Sequence, residues 1–364
     1  MMSELQKARE TINQVDKEMA RLFEMRMDAV KQVASYKKEN GLPIDDFGRE
    51  DEIVKRNSEY IDNEEYRAYY VNFLKNNIKL SKDMQHKLLE GMRVAYSGVE
   101  GAFANIAARR IFPDAKCLAY TDFKSAYRAV EKGECDCVIL PIENSFNGDV
   151  GNVLDLAFFG SLYINGVYEA EIVQNLLGVK GTVLTDVKKV ISHSQALGQC
   201  ASFIENHGFD TETAVNTAVA AKIVAETGKK EIAAIGSTEA ARQFGLEVLS
   251  ERINDSSINT TRFAVFSRSS RKPSTADDRF IMLFTVKNAA GSLGKAISVI
   301  GQYGFNLRAL KSRPTKELIW DYFFYVEGEG NINSWQGKAM LEQLRECCSN
   351  LKIAGSYEKE VHIS

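Results

Sequence analysis

Apolar and polar positions fall into three textures along this chain. Residues 3–90 hold almost no helix breakers: Gly41, Pro43 and Gly48 occur, and they cluster. That spacing predicts one long helix, a short break and two further helices. In the first helix Leu5, Ala8, Ile12, Val15, Met19, Leu22, Ala29 and Val33 follow a heptad seam. A helix over residues 3–40 spans more than about 50 Å, and such a stripe needs neighbours to cover it, a second chain being one source. From Gly91 onward, short β-branched or apolar runs (RVAYSG, CDCVILPI, KKVISH, EIAAIGS, TRFAVFS) alternate with helical stretches such as 102–112 and 194–207. The alternation predicts an α/β domain over 91–268 with a largely parallel sheet. The polar stretch RSSRKPSTADD (268–278) reads as a linker. Residues 279–364 read as strand, helix, strand, strand, helix and a short final strand, the pattern of a ferredoxin-like α+β module. The expected architecture is thus multidomain: all-α over 1–90, α/β over 91–268, α+β over 279–364.

Composition removes several alternatives. A chain of 364 residues suits two to three domains. The formal net charge is −3 with no long block of one sign, which argues against a nucleic-acid partner. The opening MMSELQKARE is polar, so a secretory signal is not expected. No apolar run reaches the roughly 18 residues of a membrane span. The six cysteines form no CxxC pair and lack a histidine at zinc-ligand spacing. Reduced thiols in a cytoplasmic protein, with no metal and no organic cofactor, are the expectation.

The helical region carries charges where a seam wants apolar residues. Arg26 falls at an a position, and a charge buried there must be paired or meet a charged ligand. Lys37 lies three turns on, close to the same face. Asp46, Arg49 and Glu50 stand at i, i+3 and i+4 and share a helix face. Leu74, Ile78, Ser81 and Gln85 form one stripe that turns from apolar to hydrogen-bonding. Taken singly, each of these charges also fits the solvated face of an amphipathic bundle. Together, Arg9 in KARETI, Arg26 in EMR, Lys37, DxxRE (Asp46, Arg49, Glu50) and Ser81-xxx-Gln85 resemble the all-helical chorismate mutases over residues 4–90. The resemblance implies an intertwined dimer in which Arg26 and the neighbouring subunit's copy of Arg9 clamp the carboxylates of chorismate. It assigns Lys37 and Gln85 to the ether oxygen, Asp46 and Glu50 to the ring hydroxyl, and Ser81 and Arg49 to support. Holding a compact dicarboxylate for a pericyclic shift needs such groups and no nucleophile.

The α/β region places polar strings at strand ends and helix starts. SGVEGAF (97–103) puts two glycines before a helix. PIENSFNGDV (141–150) follows an apolar strand, where α/β sheets bind ligands. SHSQALGQC (192–200) opens a helix, with His193 suited to a cap. Asn259-Thr260-Thr261-Arg262-Phe263 precedes AVFS. Each string alone is compatible with an ordinary turn or cap. In this order they resemble prephenate dehydratase over about 92–267. The resemblance implies two α/β lobes like a periplasmic binding protein, with prephenate in the cleft. It gives Thr261 the essential hydroxyl, with Gly101, Asn144, Ser145, Thr260 and Arg262 as further substrate contacts. Gln174-Asn175 departs from the family, where a histidine-containing segment is expected before LLG.

NAAGSLGKAISVIGQYGFNLRALKSRP, within 279–358, resembles the ACT regulatory domain of the dehydratases. That resemblance implies phenylalanine as effector, held by Gly291, Leu293, Asn306, Leu307 and Ser312 between two tails of a homodimer or higher oligomer. Lys311 stands where the family has Glu. A module kept for dimerisation, a non-catalytic sensor, and a mutase with a degenerate dehydratase are the alternatives. The retained Thr261 and the charged seam favour the two-activity reading.

Overall fold

The computed structural model describes residues 3–256, 258–315 and 321–363. The chain forms two compact units, Met1–Met92 and Arg93–Ser364.

The first unit is helical, over Glu4–Glu39, Phe47–Ser58 and Glu64–Glu90. Each helix starts on a side-chain cap. Ser3 and Gln6 form a reciprocal capping box, Asp46 Oδ1 accepts from the Arg49 N–H, and Asn63 Oδ1 accepts from that of Glu65. These caps satisfy donors that the first turn leaves without partners. The first helix ends where Gly41 takes φ = +62°, a conformation that glycine adopts without strain. Among the described residues of this unit, Val30, Ala34 and Leu74 are the buried apolar side chains. Leu5, Ile12, Val15, Met19 and Leu22 of the heptad seam are exposed.

Among the described residues, the second unit holds three sheets. The first lobe is built on the central strands Arg93–Ser97 and Cys137–Asn144, whose unbroken apolar runs are buried on both faces. Thr260–Ser267 pairs antiparallel with both Cys137–Asn144 and Tyr163–Glu171. The second lobe contains Asn175–Gly178, Lys189–Ser192, Asp210–Thr213, Ile232–Gly236 and Glu247–Ser250. Both sheets are mixed rather than largely parallel. The chain leaves the first lobe after Tyr163–Glu171 and returns along Thr260–Ser267, which runs against the strand it joins.

The tail forms a four-stranded antiparallel sheet in the order Asn306–Pro314, Tyr322–Glu329, Arg279–Thr285, Asn350–Tyr357. With helices Ser292–Gln302 and Trp335–Cys347 this is the expected ferredoxin-like pattern. One face of the sheet packs Phe280, Met282, Phe284 and Val326 beneath those helices. The other carries Ile281, Leu283, Phe323, Tyr325 and Tyr357 into the core of the first lobe, among Val138, Leu140, Leu154 and Phe266. Phe158 stacks on Phe323 with ring centroids 4.2 Å apart. The final strand Val361–Ile363 joins the first lobe's sheet, parallel to Tyr163–Glu171, instead of the tail's own. The stretch 268–278 therefore links two parts that share one core. A sheet needs both faces covered, and the first lobe covers the second face.

No helix among the described residues is long and apolar enough to cross a membrane. Phe323→Ala removes a fully buried ring from the shared core and lowers the stability of the second unit by about 3–5 kcal/mol. Hydrogen exchange checks this: amides of Cys137–Asn144 and Arg279–Thr285 lose protection together. Loss confined to the tail would show two separate cores.

Candidate active sites

In the helical unit, the first and third helices gather polar groups between them. Arg26 Nη1 donates to the Asn77 carbonyl at 3.1 Å and to Ser81 Oγ. Ser81 Oγ donates to the same carbonyl at 2.7 Å. Burial lowers the Arg26 guanidinium pKa from its ordinary value. Gln85, one turn on, donates to the Ser81 carbonyl at 3.3 Å, and its buried Oε1 has no hydrogen-bond partner. Lys37 Nζ donates to the Ile44 carbonyl at 2.7 Å. The structure thus brings Arg26, Ser81 and Gln85 together. Asp46 is occupied as a helix cap, and it and Arg49 are exposed. Glu50 is paired with Lys82 Nζ at 3.0 Å, and Asp45 with the same nitrogen at 2.8 Å. Lys82 was missed in the sequence; its partners stand more than thirty residues earlier, on other elements. Arg9 is exposed and lies 17 residues before Arg26 on one helix, so about 25 Å separates them. One chain cannot bring both to one small ligand.

In the second unit a cleft of about 670 Å³ lies between the two α/β lobes. Thr261 borders it and is 8% exposed. Asn144 Oδ1 accepts from the N–H groups of Phe146 and Asn147 at 3.1 and 3.0 Å. Those bonds settle which end of the amide carries hydrogen. Asn144 Nδ2 therefore donates to Thr261 Oγ1 at 2.9 Å and to Asn259 Oδ1 at 2.9 Å. Thr261 Oγ1 accepts, so its own proton remains to be donated. The amide chain continues: Asn259 Nδ2 donates to Gln199 Oε1 at 2.9 Å, and Gln174 Nε2 reaches the same oxygen at 3.3 Å. Gln174 and Gln199 border the cleft, and Gln174 Oε1 has no hydrogen-bond partner. His193 borders it too and caps the helix Ser194–Gln199 by accepting from the Gln195 N–H.

Four of the six expected contacts do not border this cleft. Successive residues of a strand face opposite ways, so Thr260 and Arg262 point away from the face that Thr261 presents. The Arg262 guanidinium is bound by Glu143 at 2.9 Å, Glu327 at 2.8 Å and Glu360 at 3.1 Å. Burial alone would lower its pKa, but Glu327 and Glu143 hold it above the ordinary value. Ser145 fastens the loop to the strand, donating to the Ile258 carbonyl and accepting from the Thr260 N–H. Gly101, at φ = +85°, meets the second lobe: its carbonyl accepts from Ser237 Oγ at 3.2 Å, and an added Cβ would lie 3.3 Å from Ala240 Cα. Of the Gln174-Asn175 departure, Asn175 is structural; its Oδ1 accepts the N–H of Arg252, whose φ is +49°.

In the tail, Gly291 caps Ser292–Gln302 at φ = +83° and Leu293 borders a 90 Å³ pocket with Asn288 and Tyr322. Asn306 donates to Glu329 at 2.9 Å, and Leu307 packs on the tail core. Ser312 stands six residues from Asn306 on one strand, about 20 Å away. A single chain does not gather these five residues in one cavity.

Residues 8–86 match the family model described as chorismate mutase type II, and residues 94–271 match prephenate dehydratase. A bifunctional chorismate mutase/prephenate dehydratase of Aquifex aeolicus is 31% identical over 98% of this chain and 99% of its own length. Arogenate dehydratase 2 of Petunia hybrida is 33% identical over 78% of this chain and 76% of its own. The solved prephenate dehydratase of Arthrobacter aurescens in complex with L-Phe superposes with a TM-score of 0.69 at 28% identity, covering 74% of this chain and 90% of that one.

The Arg262 cluster has a pH signature. Burial would raise Glu143 and Glu360, but hydrogen bonds and the charges of Lys311, Arg262 and Arg308 hold both below the usual carboxylate range. Depressed carboxyls stabilise the fold above their unfolded pKa of about 4.3, and that stabilisation is lost as pH falls through the lower folded values. Arg262→Leu strands these acids and costs about 3–5 kcal/mol at pH 7. Urea melts should show part of that loss recovered towards pH 4, where the stranded carboxylates take up protons. A cost independent of pH would mean that Arg262 acts by packing alone.

Proposed function

This chain belongs to the family of bifunctional chorismate mutase/prephenate dehydratases, and from that premise we propose how its side chains divide the work. The first unit rearranges chorismate to prephenate. The second dehydrates and decarboxylates prephenate to phenylpyruvate on the way to phenylalanine, which regulates it. The plant relatives are named for arogenate; a chain with its own source of prephenate favours prephenate.

In the first unit the ether C–O bond breaks as a C–C bond forms within one molecule, with no proton transfer. Arg26, held in position by Asn77 and Ser81, is read as the clamp on a chorismate carboxylate. Lys37 and Gln85 are read as donors to the ether oxygen, and Glu50 as the partner of the ring hydroxyl. Gln85 already has a buried amide end awaiting a partner. The exposed seam and the distance from Arg9 to Arg26 both favour a second copy of the chain, intertwined along the first helix, that supplies its Arg9.

In the cleft, aromatisation drives the chemistry. The carboxylate leaves as carbon dioxide, its electron pair completes the ring, and the ring C–O bond breaks towards hydroxide. That oxygen needs a donor. The observation that carries the assignment is the fixed Asn144 amide: it donates to Thr261 and so directs the threonine proton outward. The Asn144 donation also polarises the hydroxyl, making it a better donor. Residues 279–358 are read as an ACT regulatory domain. Its five candidate phenylalanine contacts come together only if two tails share the site, which again calls for a second copy.

The test is to supply chorismate and follow prephenate and phenylpyruvate, with and without phenylalanine. Thr261→Val, which keeps the shape and removes the hydroxyl, should lower dehydratase kcat by about 10²–10³-fold with mutase turnover intact. Arg26→Ala should do the reverse. A Thr261→Val variant with ordinary dehydratase turnover would refute the donor role.

A further inference from the structure

Prephenate is a dianion, and the cleft read above as its site is poor in positive charge. Among the described residues that border it, Asp149 and Arg313 are the ones with full charges. Arg262, the cation expected there from the sequence, is enclosed by carboxylates on the other side of its strand. Asp149 is neutralised by Lys311 at 2.5 Å. The Lys that replaces the family's Glu thus cancels a carboxylate that would repel the substrate. Arg313 is then the remaining cation at the cleft, and it comes from the tail, on the strand Asn306–Pro314.

The Arg313 guanidinium is held fork to fork by Asp155, Nε to Oδ1 at 2.6 Å and Nη2 to Oδ2 at 3.0 Å. Its Nη1 lies over the backbone of Gly151, where an added Cβ would fall only 2.1 Å away. A side chain at 151 would push the guanidinium off, so the glycine keeps its place. Nη1 has no hydrogen-bond partner among the described residues. The side chain remains a quarter exposed, so a ligand can reach it. A guanidinium has five donors in a fixed fork, and a carboxylate takes two of them side by side.

We propose that Arg313 anchors a carboxylate of the substrate in the dehydratase cleft, so that the tail supplies part of the substrate site. The proposal rests on the reading of the cleft as a prephenate site. In the structure Asp155 competes for the same guanidinium. The two partners of this ion pair should therefore have opposite effects when removed, whereas a purely structural pair would give the same effect from either side.

Steady-state kinetics on prephenate with the full chain reads this out. Arg313→Met should raise KM by about ten- to a hundredfold, the value of a charge-assisted hydrogen bond, with kcat within about threefold. Arg313→Lys, which keeps the charge and loses the fork, should fall between. Asp155→Asn should lower KM, because it frees the anchor. A cooperative urea melt of each variant reports that the second unit is folded. If Arg313→Met leaves KM in place, or if Asp155→Asn raises it alongside Arg313→Met, the anchor is overturned. If the wild-type chain makes no phenylpyruvate from prephenate, the reading of the cleft fails first and the anchor with it.

Discussion

A buried guanidinium has to be surrounded by acceptors, and the second unit is arranged around that demand. Arg262 draws one carboxylate from the first lobe, one from the tail sheet and one from the segment before the last strand: Glu143, Glu327 and Glu360. Tyr325 donates to Glu327 at 2.6 Å and closes the cluster from the side of the shared core. Desolvating these charges is costly, and the geometry has to be good to offset it. The result fixes the rotation of the strand Thr260–Ser267. With Arg262 held on one face, Thr261 is bound to present its hydroxyl on the other, at the cleft. The geometry of the cleft thus depends on an ion cluster that does not border it.

That relation explains what the sequence shows and what it hides. The element types were readable because they rest on local spacing: the heptad seam, the apolar runs of Cys137–Asn144, the alternation of the tail. Asn144 and Thr261 were legible through the resemblance; that they meet is set by the pairing of Thr260–Ser267 with Cys137–Asn144. Thr260, Arg262 and Ser145 came with the resemblance, but they do not border the cleft, because neighbouring residues on a strand face opposite ways. Which way each faced was decided by Glu327 and Glu360, 65 and 98 residues distant. Lys82 and Arg313 were passed over for the same reason, since their partners lie in other elements. The pairing of Val361–Ile363 with Tyr163–Glu171 was not readable either, because its partner strand lies almost two hundred residues earlier.

The helix Gly151–Phe159 is where tail and lobe meet most closely. At its middle Asp155 binds Arg313. At its end Lys352 Nζ donates to the carbonyls of Ala157 and Gly160 at 2.7 and 2.5 Å, the place where a helix attracts a cation. Burial lowers the Lys352 pKa, but two carbonyl acceptors keep its protons engaged. Between these points Phe158 stacks on Phe323. The helix is therefore clamped at three points by one sheet, and the loop leading into it, residues 145–150, runs directly from Asn144.

This arrangement narrows how an effector in the tail can reach the chemistry. A free module on a flexible linker would have to act by docking and undocking. Here the tail sheet already shares the lobe's core, so a ligand can act only by its different affinity for two packings of that shared region. The strand Asn306–Pro314 is the element best placed to differ between them. Its first residues stand among the expected effector contacts, and its last carry Lys311 to Asp149 and Arg313 to the cleft. It is also the edge of its sheet, with one side unpaired among the described residues and open to a second copy. A slide or twist of that one strand would displace both the cation that cancels Asp149 and the cation at the substrate's carboxylate. Regulation and substrate binding would then be two readings of a single strand's position, with no longer path between them required.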